Sequence, residues 1–420
     1  MRTNPLYRPV DQMRPEYDCS GSPTSVLDLV HAQFKRRMSF ASFTEDAFRC
    51  LVLMMEEAFS LWPDDVRLRI ELAMALLQFR PDQSSLMRAC ALTDGVSADG
   101  ELGANLLRVR YLTKRMLAHS AVRNDTLPDR INWAVNNRCP MVCRGCYNTF
   151  LPDQLDIREA ELALDRICAL GVKNLIVSGG DPILWPEIQR FLSYASSRGF
   201  RIGLDTTGYS LTMELLSTIR PHLSYLGLPI DGSSPHIQNL VRRTGDRDVL
   251  ARVFQAIDAC QIYGVPVKIN TIVSRHNISD LYNIGETIRR FPYIRRWSLF
   301  QWWPLRSTLA MRNALAVTDS EFDAAIDGLS KLEFPGQING KRSSEREFSH
   351  VFVQNNGQIT TFGGREEEEF LLGHILRDDL RAIFNSPALD KRTAKFLPTR
   401  RFAQQSVSLS SDDGPNIVAA

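Results

Sequence analysis

The feature that most constrains the fold is a regular alternation of short β-branched segments and amphipathic helical segments between about residues 130 and 305. This alternation is typical of parallel sheets, because the crossover between two parallel strands usually contains a helix. The predicted strands are 131–135, 174–178, 201–206, 225–229, 267–273 and 297–303. The predicted helices between them are 157–170, 186–198, 211–219, 248–263 and 278–291. Such sheets bind ligands at the carboxyl ends of their strands, so the residues that follow each strand are the first candidates for a site.

Three cysteines follow the first predicted strand: Cys139, Cys143 and Cys146, separated by three and then by two residues. A loop this short can direct all three sulfurs toward one metal centre. Three thiolates are one fewer than the four that close a structural zinc site or a fully protein-ligated iron–sulfur cluster. The spacing therefore favours a metal centre with one open position. A zinc knuckle and incidental core thiols are the alternatives.

This Cys-x3-Cys-x2-Cys spacing resembles the signature of the radical S-adenosylmethionine (SAM) superfamily. The tyrosine directly after the third cysteine, Tyr147, makes the sequence resemble many of the peptide- and natural-product-modifying members. Gly145 stands where the family usually has an aromatic residue. The resemblance implies an α/β fold with a partial (βα)6 barrel, and one [4Fe-4S] cluster held by Cys139, Cys143 and Cys146. It also implies that the fourth iron chelates SAM. Reduction, by a partner such as flavodoxin or ferredoxin, would then cleave SAM to a 5′-deoxyadenosyl radical that abstracts hydrogen from a substrate.

The second predicted strand ends in Gly179, Gly180 and Asp181, followed by proline. Glycines at a strand end allow another group to approach the backbone closely. The stretch resembles the Gly-Gly-Glu-Pro motif of the family, with Asp181 in place of the glutamate. The resemblance implies that these residues bind the amino group of SAM.

Later strand ends supply the remaining cofactor-binding candidates. Thr207 resembles the residue that faces the ribose of SAM, with a helix N-cap as the alternative role. Arg243 belongs to a segment that resembles the family pattern "Asp-Gly … His … Arg-x-Gly", although Pro229 replaces a frequent serine. Arg243 would bind the carboxylate of SAM through a charge-assisted hydrogen bond. The alternative is that Arg243 is a surface arginine without such a role. Asn270 is expected to point inward from the fifth strand, and Gln301 is a candidate on the sixth.

Tyr147 completes this set as a possible contact for the adenine ring. Strand alternation predicts that at most one of Trp302 and Trp303 faces the lumen of the barrel. The sequence identifies no catalytic side chain.

The segments that flank the barrel divide the chain into five predicted parts. These are a flexible arm (1–22), an all-helical N-terminal domain (23–122), the radical SAM core (123–318), a small α+β C-terminal extension (319–402) and a mobile tail (403–420). The extension is predicted to contain a helix at 321–332, a polar stretch at 336–346, a hairpin of 350–353 and 358–362, a solvated acidic face at 365–369 and a helix near 379–384. It resembles the SPASM-like extension of maturases that bind auxiliary clusters. However, it contains no cysteine, so an auxiliary cluster is not expected.

Composition is that of an ordinary globular protein, with 44% hydrophobic and 23% charged residues and a net charge of +2. This balance gives no indication of a nucleic-acid or membrane partner. The isolated cysteines are expected to be structural: Cys19, Cys50, Cys90, Cys168 and Cys260. Free thiols and an oxygen-labile cluster fit a reducing, cytoplasmic location.

The sequence thus predicts a radical SAM enzyme, an oxidoreductase or lyase by reaction type. We expect a small-molecule substrate from natural-product biosynthesis. One alternative is a maturase of a ribosomal peptide or protein. An alternative from another class is a non-catalytic metal-binding interaction protein.

Overall fold

The computed structural model describes residues 28, 45–79, 81–121, 127–143, 145–148, 153–243, 248–363 and 368–389. The predicted arm at 1–22, Cys19 and the tail at 403–420 lie outside these residues. So does most of the acidic stretch at 365–369. None of the described helices combines the length and the apolar character that a membrane crossing requires.

Ten strands form one sheet in the spatial order β10-β9-β8-β1-β2-β3-β4-β5-β6-β7. The strands are β1 Arg130–Ala134, β2 Asn174–Ser178, β3 Arg201–Asp205, β4 Leu223–Pro229, β5 Val267–Val273, β6 Ile294–Gln301, β7 Gln337–Lys341, β8 Val351–Val353, β9 Gln358–Gly363 and β10 Glu368–His374. The first six are mutually parallel and adjacent in chain order. The predicted partial (βα)6 barrel is therefore confirmed.

Helices precede these strands, connect them and, in one case, follow them. They are α1 Glu45–Leu61, α2 Val66–Gln78, α3 Gln83–Thr93, α4 Gly100–Ala121, α5 Ile157–Ala169, α6 Ile188–Ser197, α7 Met213–Ile219, α8 Pro235–Val241, α9 Val249–Tyr263, α10 Leu281–Ile288, α11 Arg312–Leu315, α12 Asp319–Asp327 and α13 Leu380–Phe384. Local sequence sets several of the ends. Asp156 and Glu159 form a capping box at the start of α5, and Gly264 ends α9 in the left-handed conformation.

Both edges of the barrel sheet are extended by segments from the C-terminal region. The stretch at 336–346, predicted to be merely polar, contains β7, which pairs in parallel with β6. The predicted hairpin is confirmed as β8 and β9, and its turn glycine Gly357 has a φ of 86°. This hairpin also joins the barrel, because β8 pairs in parallel with β1. Eight parallel strands therefore stand side by side, two more than the sequence predicted.

The N-terminal helices and the barrel share one continuous hydrophobic core. Phe79, just after α2, forms a β-bridge with Leu371 of β10, and Ser386 donates a hydrogen bond to the carbonyl of Pro81. The helical region therefore packs on the strands added by the extension. Of the isolated cysteines within the described residues, Cys260 is fully buried and the others are partly buried.

Candidate functional site

The lumen of the barrel contains a cavity of about 420 Å³. Side chains from β1 to β8 line it, together with the loop that follows β1. Cys139, Cys143 and Cys146 all line this cavity, are half-buried and form no disulfide. The structure therefore brings the thiols of all three predicted cluster ligands to one cavity.

Neighbouring segments hold the cysteine loop from several sides. The backbone amide of Val142 donates to the carbonyl of Arg243 at 2.7 Å, which ties the loop to the end of α8. Gly145 is required by Trp302: a Cβ on this glycine would lie 2.7 Å from the indole Nε1. Trp302 thus fills the space beside Gly145, where the resemblance implied an aromatic side chain.

The donor set suits a metal cluster. Burial raises the pKa of Cys139 to about 11, and the nearby Asp181, Cys143 and Cys146 add to that shift. A metal that replaces the thiol proton would remove this penalty. Within the described part of the chain, no three His, Cys, Asp or Glu side chains converge on a position for a single ion. A [4Fe-4S] cluster makes a different demand, since each of its irons takes a separate thiolate.

The glycines after β2 allow two loops to pack backbone against backbone. Gly179 has a φ of 148°, and a Cβ there would lie 2.5 Å from the carbonyl oxygen of Asn136. At Gly180 a Cβ would lie 2.4 Å from the carbonyl oxygen of Arg138. Both glycines also line the cavity. Their small size therefore brings the β2 loop against the segment that leads into Cys139.

Asp181 has a position that its sequence motif did not reveal. Its side chain is fully buried and does not line the cavity. The two carboxylate oxygens accept hydrogen bonds from the hydroxyls of Thr206, at 2.5 Å, and Thr207. Burial raises the pKa of Asp181, against the opposing effect of these hydroxyls. Asp181 therefore orients Thr207, which does line the cavity, and the direct contact between Asp181 and SAM stays a prediction.

Of the two adjacent arginines, Arg242 lies near the cysteines and Arg243 does not. Arg243 is exposed and outside the cavity, whereas Arg242 lines it and pairs with the buried Asp231. Burial by itself lowers the pKa of Arg242. The charges of Asp231, Cys143 and Cys146 outweigh that effect, so the net pKa is raised. The structure thus places Arg242, the residue after α8, in the cavity, and the contact of Arg243 with SAM stays a prediction.

Two further predicted contacts, Asn270 and Gln301, line the cavity and differ in what they offer a ligand. The amide nitrogen of Asn270 donates to Asp205, while its buried Oδ1 has no hydrogen-bond partner among the described residues. Asn270 therefore keeps an acceptor for a bound molecule.

Both polar atoms of the Gln301 side chain form hydrogen bonds with other residues of the protein. Its Nε2 donates to Val317 and Asp319, and its Oε1 accepts the backbone amide of Ser343 at 2.6 Å. Because Asp319 and Ser343 belong to the C-terminal region, Gln301 joins that region to β6. Its role in binding the cofactor stays a prediction.

Trp302 and Trp303 do not follow the strand alternation that was predicted from the sequence. Both Trp302 and Trp303 line the cavity, because β6 ends at Gln301 and the period of two ends with it. Tyr147 also lines the cavity and packs edge-on against Phe352 at 6.1 Å.

Sequence reasoning missed a group of lysines and arginines inside the barrel. Arg130, Lys268, Arg296, Lys341 and Arg346 all line the cavity. A hint was present in β5, where strand alternation places Lys268 on the same face as the inward Asn270. The contributions of Lys341 and Arg346 could not be seen, since β7 was not predicted.

Comparison with known proteins agrees with this arrangement. The family model described as "Radical SAM superfamily" matches residues 133–288. An AdoMet-dependent heme synthase from Methanosarcina barkeri is 28% identical over 159 residues, 37% of this chain and 45% of that protein. A PqqA peptide cyclase from Ruegeria pomeroyi is 29% identical over 152 residues, 35% of this chain and 40% of that protein. The matches thus span less than half the length of these curated relatives.

A solved structure, native anSMEcpe with bound AdoMet and a Kp18Cys peptide, superposes with a TM-score of 0.51 at 14% identity. The superposition covers 64% of this chain and 84% of that one, and it supports the barrel fold. Members of the matched family use a [4Fe-4S] cluster and SAM, which fits the three cysteines that line one cavity. Residues 133–288 of this chain therefore form a radical SAM domain.

Proposed function

We propose that this protein is an enzyme that cleaves SAM reductively at one [4Fe-4S] cluster and abstracts hydrogen from a substrate. The observation that carries the proposal is the convergence of Cys139, Cys143 and Cys146 on a cavity inside a radical SAM barrel. When bound, the cluster and SAM supply the 5′-deoxyadenosyl radical, which can attack unreactive C–H bonds.

The chain's own residues would bind and orient these groups. The three cysteines would ligate the cluster and leave one iron for SAM. Gly179 and Gly180 present backbone beside the cysteine loop, and Thr207, held by Asp181, presents a hydroxyl to the cavity.

Other lining residues would complete the SAM site. The orphaned Oδ1 of Asn270 supports a role as an acceptor for a bound donor group. Arg242, next to the thiols, would bind the carboxylate in place of Arg243. Tyr147 stays the proposed adenine contact, and Gln301 would act only by fixing the wall of the site.

The proposed substrate is a small molecule of a natural-product pathway, converted by an oxidoreductase or lyase reaction. The similarity to an AdoMet-dependent heme synthase supports a non-peptide substrate. A peptide substrate is the second candidate, favoured by the similarity to a PqqA peptide cyclase. We further propose a reducing, cytoplasmic setting and a flavodoxin or ferredoxin as the reductant.

Anaerobic reconstitution provides the test. The purified full chain should bind about four irons and form 5′-deoxyadenosine from SAM and dithionite. Cys143→Ala should lose both properties. Cys168→Ala is the matched control, because Cys168 is a half-buried free thiol on α5 that does not line the cavity.

The opposite results would contradict the proposal. Bound zinc in place of iron, with no SAM cleavage, would favour the non-catalytic metal-binding alternative. Equal SAM cleavage by Cys143→Ala and the native chain would refute the ligand assignment.

A further inference from the structure

We propose that the barrel lumen contains a binding site for an oxyanion, a carboxylate or phosphate group carried by the substrate. The site is the lumen cation cluster, defined as Arg130, Lys268, Arg296, Lys341 and Arg346. The inference rests on the proposed function, since the anion belongs to the molecule from which hydrogen is abstracted.

The first argument is the position of the cluster. Arg130 is the first residue of β1, Lys268 the second of β5 and Arg296 the third of β6. The cysteine loop follows the opposite, carboxyl end of β1. Because the same cavity reaches both groups, a molecule anchored on the cations can extend toward the cysteines.

The second argument is charge balance. Among the described residues that line the cavity, Asp205 is the only carboxylate, against the five cations of the cluster and Arg242. Arg242 pairs with Asp231 and is assigned to the SAM site, so it is not counted in the cluster. Neither Lys268 nor Lys341 lies within ion-pair distance of a carboxylate of a described residue.

The third argument is that the cations repel one another. Burial, together with the charges of Arg130, Lys268, Arg346 and Arg296, lowers the pKa of Lys341 to about 8. Buried like charges without sufficient counter-charge destabilise a fold. Five cations outnumber the one carboxylate that lines the described part of the cavity, which points to a binding role, and an anion would add counter-charge.

Aromatic rings hold two of these cations in place. The Nζ of Lys268 lies 5.5 Å from the ring centre of Tyr225 and 5.7 Å from that of Phe300. The guanidinium of Arg346 lies 5.0 Å from the ring centre of Trp303 and donates to the carbonyl of Gln301. Gly203 makes room for Tyr225, because a Cβ there would overlap its phenol ring. These contacts order the cations before any ligand binds, which favours affinity.

Calorimetric titration of the full chain at low ionic strength tests the site directly. Citrate and pyrophosphate are the two probes, and glycerol is the neutral comparison. At least one anion should bind, and Lys341→Gln and Lys268→Gln should each weaken it about tenfold, the loss expected for one charge-assisted contact. Lys331→Gln is the control, since Lys331 is exposed and outside the cavity.

The two probes separate the possible sources of the anion. Binding of citrate alone would assign a carboxylate-bearing substrate, and binding of pyrophosphate alone a phosphate-bearing one. Binding of neither probe, or equal binding by the Lys341, Lys268 and Lys331 variants, would overturn the proposal.

A second measurement distinguishes a binding role from a structural one. Without ligand, Lys341→Gln should melt at a higher temperature than the native chain, because one repelling charge is gone. A lower melting temperature would show that Lys341 stabilises the fold, and would contradict the inference. If 5′-deoxyadenosine still forms while no anion binds, only this inference fails and the proposed function stands.

Discussion

Arg242 and Asp231 form an ion pair beside the cysteine loop, with 2.6 Å between Nε and Oδ2. The carboxylate of Asp231 is fully buried and also accepts the backbone amide of Ile272 at 2.6 Å. One acidic residue at the end of β4 thereby joins the end of α8 to β5. The pair fixes a positive charge near Cys143 and Cys146.

Asp231→Ala should therefore destabilise the protein strongly. Removing one partner of a buried ion pair costs about 3–5 kcal/mol, because the other charge is left uncompensated. Denaturant unfolding measures the change. The matched control is Glu286→Ala, which removes the more exposed i,i+3 pair with Arg289 and should change stability by no more than about 1 kcal/mol. Similar losses of unfolding free energy in both variants would contradict a larger contribution from the buried ion pair.

Gly179→Ala should reduce the iron content of the reconstituted protein. The new methyl group would meet the carbonyl oxygen of Asn136, only 2.5 Å from the ideal Cβ position, and displace the segment before Cys139. Gly199→Ala is the control, since Gly199 also has a positive φ, 80°, but no atom within 4 Å of its Cβ position. Iron content at the native level in both variants would argue against close packing of the two loops.

Asp181→Ala should weaken SAM binding about tenfold while iron content is retained. The reason is the loss of orientation of Thr207, whose hydroxyl donates to the Asp181 carboxylate. Thr207→Val should have a similar effect, and the double variant should lose little more, because both changes remove the same interaction. Equilibrium binding of SAM to the reconstituted protein measures all three variants. Additive losses would mean that Asp181 acts independently of Thr207.

Lys341 should make stability depend on pH in the alkaline range. Burial and the facing charges of Arg130 on β1, Lys268 on β5, Arg296 on β6 and Arg346 lower its pKa from 10.5 to about 8. Between these values the folded protein has released a proton that the unfolded chain retains, so the Lys341 contribution to stability rises with pH.

The stability advantage expected for Lys341→Gln should therefore be largest below pH 8 and should shrink toward pH 10. Unfolding free energies of the two proteins at pH 7, 8, 9 and 10 give the measurement. A constant difference over this range would contradict the lowered pKa.

The sequence by itself determined the barrel strands, the helices between them and the three candidate ligands of the cluster. Each of these depends on local pattern: β-branched runs, amphipathic periodicity and the spacing of Cys139, Cys143 and Cys146. Local chemistry also identified the hairpin through the turn glycine Gly357.

Only the tertiary structure decided which side chains reach the cavity. Arg242 rather than Arg243 lines the cavity and pairs with Asp231. The role of Asp181 depends on two threonines that follow β3. The lumen cation cluster was invisible for the same reason, because its members come from separate strands and one loop. Register between distant segments sets such contacts, and one residue of shift turns a side chain from the lumen to the opposite face.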